Sequence, residues 1–249
     1  MAKLIFYGGV NEIGGNKIFL QDGGKSIFLD FGKSFSRRSY FFSDPFLVPR
    51  EIEDFLELEL IEPLEGVYKI PSSNANVKLI DAIFISHVHA DHVDHASLSH
   101  PMIPIYLGET GKMILESLAV TRFRQIDNDL SESQFQTFRT GKTIKVGCLE
   151  IEPIHVDHSL PGSYGFIVYT SSGPVVYTGD FRLHGPNAGL SWDFLKRAQQ
   201  VRPIAMISEG TNVFSTTLLK ESEIEEKMVA LLESSPGLVV VSFLFKDVD

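Results

Sequence analysis

The sequence predicts an α/β layer architecture, and three observations carry that expectation. The chain opens on short strands joined by tight-turn residues, changes at Asp81 to strands alternating with helices, and later returns to a hairpin followed by a helix. Lys3 to Tyr7, Lys17 to Gln21 and Ser26 to Asp30 read as strands. Asp22-Gly23-Gly24-Lys25 is hairpin chemistry between the last two, so the opening is a β-meander. Residues 34–70 break the rhythm: Phe35, Tyr40, Phe41, Phe42, Phe46 and Phe55 lie among prolines and acidic residues, and Glu51 to Leu60 looks partly helical. This segment reads as an inserted lid whose aromatics pack it down, any exposed share marking a substrate or dimer surface. Asp81 to Ser86 is a strongly apolar strand, Ile103 to Leu107 is extended, Gly108 to Val120 helical, and Thr143 to Val146 and Leu149 to Ile154 extended. Gly165 to Thr170 and Pro174 to Thr178 form a second hairpin around Ser171-Ser172-Gly173, with a helix at Ser191 to Gln200 and a strand at Pro203 to Ser208. Leu218 to Glu233 carries Leu218, Leu219, Ile224, Met228, Leu231 and Leu232 on a broad helical face, and Leu238 to Phe245 reads as a final strand.

Composition narrows the class. With 249 residues, 43% hydrophobic and 22% charged, the chain can bury a large core and is globular. No apolar run approaches the roughly 18 residues of a membrane span, and the start lacks a secretory signal, so no membrane partner and a cytoplasmic location are expected. The single Cys148 excludes an internal disulfide framework and reads as a small buried hydrophobe. A net charge of −10 argues against a broad basic face that wraps duplex nucleic acid. It leaves nucleic-acid enzymes open, because carboxylates gathered around divalent cations look acidic on paper while the bound ions reverse the local field.

The chemistry concentrates after the strand Asp81 to Ser86, where His87, His89, Asp91 and His92 fall within six positions, followed by Asp94 and His95. In an extended loop leaving a strand, His87 and His89 point the same way and can grip one cation together. Asp91 and His92 fall where the chain turns, aimed at a second position. Two further ligand carriers follow strand ends downstream: His158, in His158-Ser159-Leu160-Pro161, and Asp180, in Tyr177-Thr178-Gly179-Asp180. A carboxylate can bridge two cations and a neutral imidazole cannot, which makes Asp180 the bridging ligand. His155, three residues before His158 in an extended run, turns to the opposite face and is expected at the surface. Asp94 and His95 read as groups behind the ligands or in solvent. His100 and His184 are weaker candidates, and Arg182 suits a phosphate contact or an ordinary salt bridge equally.

The set His87-Val-His89-Ala-Asp91-His92, then His158, then Asp180, resembles the metallo-β-lactamase superfamily. That resemblance implies an αββα sandwich holding two zinc ions along one edge. It implies His87, His89 and His158 on the first ion, and Asp91, His92 and bridging Asp180 on the second, Asp91 also orienting the attacking water. Asp30, closing Ile27-Phe-Leu-Asp30, matches the superfamily's supporting carboxylate. Gly8-Gly9-Val10-Asn11-Glu12-Ile13-Gly14-Gly15, His158-Ser159-Leu160-Pro161 and Thr178-Gly179-Asp180-Phe181-Arg182 look like motifs of ribonuclease J-like nucleases in the β-CASP branch. Ser208-Glu209-Gly210 looks like that branch's first acidic motif, implying a role for Glu209 in polarising a histidine or assisting proton transfer; a carboxylate capping the following turn is the alternative. The expected organisation is a metallo-β-lactamase-like domain over residues 1–205, with the lid at about 34–70, and the beginning of an inserted β-CASP-like domain over 206–249, incomplete because the chain ends at Asp249.

The implied function is a metal-dependent hydrolase, a zinc phosphodiesterase acting on single-stranded RNA. Its two cations lower the pKa of a water from about 15.7 to near 7, and the resulting hydroxide attacks phosphorus. Manganese or iron would suit the same ligand set. Hydrolysis of a small ester, thioester or lactone, or a shortened non-catalytic metal-binding protein, are the alternatives. A homo-oligomer is compatible with all three.

Overall fold

A computed structural model describes residues 1–44, 46–70, 80–215 and 219–242 of the chain. Two sheets face each other. The first is ordered β1 (Lys3–Gly8), β2 (Lys17–Asp22), β3 (Lys25–Leu29), β4 (Ala82–Phe84), β5 (Ile105–Gly108) and β6 (Phe135–Phe138). Its first three strands are antiparallel, as hairpin turns require, and β3 to β6 run parallel. The second sheet comprises β7 (Ile144–Val146), β8 (Leu149–His155), β9 (Tyr164–Thr170), β10 (Gly173–Tyr177) and β11 (Ala205–Ile207), antiparallel except for the parallel β10–β11 pair.

Strand alternation builds the layers. Ile27 and Leu29 of β3, Phe84 of β4, Phe166 and Val168 of β9, and Val175 and Tyr177 of β10 meet in a core between the sheets. Their neighbours Phe28, Ile83 and Ile85 face outward into a second core, and Ile167 and Val176 into a third. The third core is closed by Phe194 and Ala198 of helix α5 (Ala188–Val201). The second is closed by Leu115 of α4 (Glu109–Thr121) and by residues of the insertion. Helix, sheet, sheet and helix follow one another, so the predicted α/β sandwich is the observed one.

The insertion is only partly a lid. It contains α1 (Phe35–Ser39) and α2 (Ile52–Glu57), and Ile52, Phe55, Leu60, Val67 and Tyr68 are buried within the outer core. Its exposed share is specific: Tyr40 and Phe46 are 82% and 90% exposed.

Several expectations change in detail. β6 was not anticipated; its four residues, Phe135-Gln-Thr-Phe, carry too short a pattern to stand out. Cys148 is exposed in the tight turn joining β7 to β8, behind Gly147 at φ +61°, its Sγ donating to Asp22 O at 3.3 Å. The last helix, α6, spans Glu221–Ser234 and buries none of its residues. Leu218, expected in that helix, lies outside the described residues. The expected final strand is absent over residues 238–242, which find no neighbouring strand to pair with among the described residues; its remainder also lies outside them. No described helix is long and apolar enough to cross a membrane.

Strand direction positions the site. β8, β10 and β11 share one direction in the second sheet, as do β3 and β4 in the first, and the functional residues all leave C-terminal strand ends.

Candidate metal centre

Beyond β4, Ile85 and Ser86 lead to His87, and His89 caps the short helix α3 (Ala90–Val93) that carries Asp91 and His92. His158 follows β8 and Asp180 follows β10. The fold brings ligand atoms of His87, His89 and His158 within 4.8 Å of one another, and those of His87, His92 and Asp180 within the same limit. His89 Nδ1 lies 2.9 Å from His87 Nε2 and 3.2 Å from His158 Nε2. Three imidazole nitrogens converging at such distances make a donor set that suits one borderline cation.

Asp180 divides its oxygens. Oδ2 faces His87 Nε2 at 3.9 Å and His158 Nε2 at 3.8 Å, while Oδ1 is 3.3 Å from His92 Nε2. One carboxylate therefore touches both groups, the geometry that a bridging ligand needs. Asp91 lies outside both groups, its Oδ2 3.6 Å from His92 Nε2. His87 Nε2 lies within reach of both groups, and Asp91 stands beside the second one at His92.

Behind these residues lies a fully buried anchor. Asp30 accepts hydrogen bonds from Ser86 N at 2.6 Å, Ser86 Oγ at 2.7 Å and Tyr177 OH at 2.5 Å, and pairs with His92 Nδ1 at 2.6 Å. Holding the proton on Nδ1 turns His92 Nε2 toward Asp91 and Asp180. Asp30 adopts φ +59°, a left-handed conformation that costs a non-glycine residue about 1–2 kcal/mol, and this network holds it there. Ser86 Oγ also reaches His87 Nδ1 at 3.0 Å, so one carboxylate orients histidines of both groups.

Electrostatics follow from burial and neighbours. Burial opposes protonation of His92, yet Asp30 and Asp180 outweigh it and raise its pKa well above the ordinary imidazole value. A cation at Nε2 would replace that proton. Burial would raise Asp180, but the hydrogen bond and charge of His92 and the neighbouring histidines bring it below the ordinary carboxylate value. His158 is lowered to about 4, chiefly by burial, despite Asp180. Its lone pair is thus open at neutral pH.

That last shift predicts an acid slope. The unfolded chain protonates His158 near 6.5 and the folded metal-free chain only near about 4. The unfolded state binds more protons across that window, so His158's contribution to stability is lost as pH falls from 6.5 toward 4. His155, lowered by burial, adds to the slope; His92 acts oppositely, losing its contribution as pH rises through its raised pKa. Urea midpoints in chelator should fall across this window, and less steeply in His158→Gln. An identical slope in that variant would remove His158 as a source.

The other sequence candidates divide. Glu209 Oε1 accepts from the backbone N–H of Phe181 at 2.9 Å, so its carboxylate grips the loop carrying Asp180; burial raises its pKa. Asp94 is buried in ion pairs with Lys33 at 3.0 Å and Arg122 at 2.8 Å, and His95 is buried edge-on to Phe55. Neither belongs in solvent. His155 is half-buried, stacked on Tyr164 at 4.2 Å, because the ring covers the end of β9. His100 accepts from Met102 N in a turn, and His184 lies outside both groups. Arg182 is committed to Asp157 at 3.0 Å, the salt-bridge alternative.

Sequence reading missed Asn16 and Tyr177. Asn16 donates through its backbone N and its Nδ2 to Asp91 O, and Nδ2 stands 3.1 Å from His92 Nε2. Its signal was its place directly after Gly14-Gly15. Gly32 completes this clamp: a Cβ there would fall 1.6 Å from Asp91 O. Gly32→Ala should therefore displace α3 and destabilise the protein by about 3 kcal/mol, read from denaturant midpoints. A loss below about 0.5 kcal/mol would show that α3 yields freely.

A model of the beta-lactamase superfamily domain matches residues 60–201. Ribonuclease J of Helicobacter pylori is 28% identical over 97% of this chain and 32% of its own length. Ribonuclease J 2 of Streptococcus pyogenes is 27% identical over 96% of this chain and 40% of its own, and ribonuclease J of Pyrococcus abyssi 26% identical over 87% and 47%. The chain thus spans about a third to a half of these relatives. A solved protein of unknown function from Enterococcus faecalis superposes with a TM-score of 0.74 at 25% identity, over 94% of this chain and 57% of that one. Sequence, fold and the convergent histidines agree: the chain belongs to the beta-lactamase superfamily and has the metallo-β-lactamase fold.

Proposed function

We propose that this superfamily hydrolase is a two-metal phosphodiesterase acting on single-stranded RNA, with zinc as the first candidate ion. The observation that carries the reading is the division of Asp180 between the two groups of ligand atoms. The relatives named ribonuclease J, aligned over nearly the whole chain, support RNA as the substrate.

His87, His89 and His158 would hold one ion, and His92 and Asp180 the other, with Asp91 at its margin. Bound there, a pair of divalent cations supplies an acidified water and neutralises charge on a phosphodiester. The chain's own groups do the rest. Asp30 fixes the His92 tautomer, Asp180 spans both positions, and Asp91, with its Oδ2 3.6 Å from His92 Nε2, orients a water. Glu209 secures the Phe181 amide and with it the Asp180 loop. In this reading the beginning of a β-CASP-like region lies within residues 206–249, after β11.

The test is direct. The purified chain, loaded in turn with zinc and manganese, is incubated with 5′-labelled single-stranded RNA. Cleavage that His87→Ala abolishes is the expected result. Intact RNA alongside rapid hydrolysis of a thioester or lactone would instead make the protein a small-molecule hydrolase.

A further inference from the structure

His158 and Asp180 come from separate strand ends, and a single side chain ties those ends together. Asp157 directly precedes His158, and Arg182 lies two residues beyond Asp180. Arg182 N donates to Asp157 O at 2.8 Å, and Arg182 Nε donates to Asp157 Oδ1 at 3.0 Å. The pair is nearly dry, with side-chain exposures of 9% and 2%. Asp157 is fixed from a third direction, its N–H donating to Ser191 Oγ of α5 at 2.9 Å. Gly185 closes over the pair, since a Cβ there would fall 2.2 Å from Arg182 Nε and 2.4 Å from Asp157 Oδ2. The far end of the same guanidinium donates from Nη1 to Glu221, in the first turn of α6.

We propose that Arg182 is a positioning residue: it locks the His158 loop to the Asp180 loop, and through Glu221 it ties the placement of α6 to the spacing of those two metal ligands. The proposal rests on the metal-centre reading above. A planar fork suits this task because it engages Asp157 and Glu221 with different nitrogens at fixed angles, which a lysine ammonium cannot reproduce. Losing a partner that orients a ligand commonly costs 10–100-fold in metal affinity. The same range is expected here although Arg182 touches neither ion position.

Cobalt(II) titration of the whole chain separates this role from simple stability. The visible absorption of bound cobalt reports ligand geometry, and competition with a chelator gives affinity, neither needing RNA. Arg182→Gln should lose about 10–100-fold in affinity and alter the cobalt spectrum. Arg182→Lys should fall between parent and Gln, and Glu221→Gln should change the spectrum in the same direction by a smaller amount. Should Arg182→Gln fail to fold, the Lys variant decides: parental affinity and spectrum in it overturn the proposal, as they would in the Gln variant. If the parent itself takes up no cobalt, the metal-centre reading falls; if the parent binds and the variants match it, the role of Arg182 alone falls.

Discussion

On the proposed two-metal phosphodiesterase reading, Asp180→Asn should leave the protein folded, holding one divalent ion in place of two, with the proposed RNA cleavage reduced on the order of 10³-fold, about 4 kcal/mol of transition-state stabilisation. The reason lies in how its two oxygens are spent. Oδ1 is 3.3 Å from His92 Nε2, and Oδ2 is 3.8 Å from His158 and 3.9 Å from His87. Asparagine keeps the volume but replaces one of those oxygens by an amide NH2, which repels a cation, and it removes the negative charge that offsets two dications. The three-histidine group at His87, His89 and His158 does not depend on Asp180 for its convergence and should keep its ion. Elemental analysis after gel filtration gives the stoichiometry and single-turnover cleavage the rate. Two retained ions with parental cleavage would mean that the carboxylate bridges nothing.

The layers were legible because strand alternation is a local property. Ile27-Phe28-Leu29 announces two buried faces, and its residues do enter two different cores. The histidine cluster was legible for the same reason: His87, His89 and His92 are neighbours in sequence as well as in space. His158 and Asp180 stood out as ligand types at strand ends, but their assignment to particular ions came through the superfamily resemblance, since nothing local says that β8 and β10 end beside β4. Asn16 and Tyr177 escaped because their importance is entirely tertiary. Tyr177 reads as one more core aromatic of β10, yet its hydroxyl reaches Asp30 across 147 positions of sequence. Asp91 is harder to place from spacing alone: α3 sets its Oδ2 3.6 Å from His92 Nε2, beside the second group and not within either one. The expected last strand departs for a related reason over its described part: residues 238–242 have the composition of a buried strand, but composition does not supply the neighbour that a strand must pair with.

Asp30→Ala should be the most destabilising single change near the site, costing about 3–5 kcal/mol, which for a chain of this size lowers the melting temperature by roughly 10 °C. The substitution leaves Ser86 N, Ser86 Oγ, Tyr177 OH and His92 Nδ1 facing an empty volume, all buried and all deprived of the acceptor they share. It also strands the charge on His92, whose protonation burial opposes and Asp30 sustains. One gain partly offsets the loss, because alanine is no better suited than aspartate to φ +59° but carries no carboxylate to desolvate. Tyr177→Phe is the graded comparison. It removes one donor while Ser86 and His92 still satisfy Asp30, so about 1 kcal/mol is expected. Urea unfolding in chelator isolates this hydrogen-bond effect from any contribution of bound ions, and repeating it with zinc adds the linkage term RT ln(1 + [L]/Kd). The zinc increment should shrink in Asp30→Ala, because His92 is no longer held with Nε2 toward Asp180. An Asp30→Ala midpoint within 1 kcal/mol of the parent in chelator, or an undiminished zinc increment, would show that His92 is oriented by something other than this carboxylate.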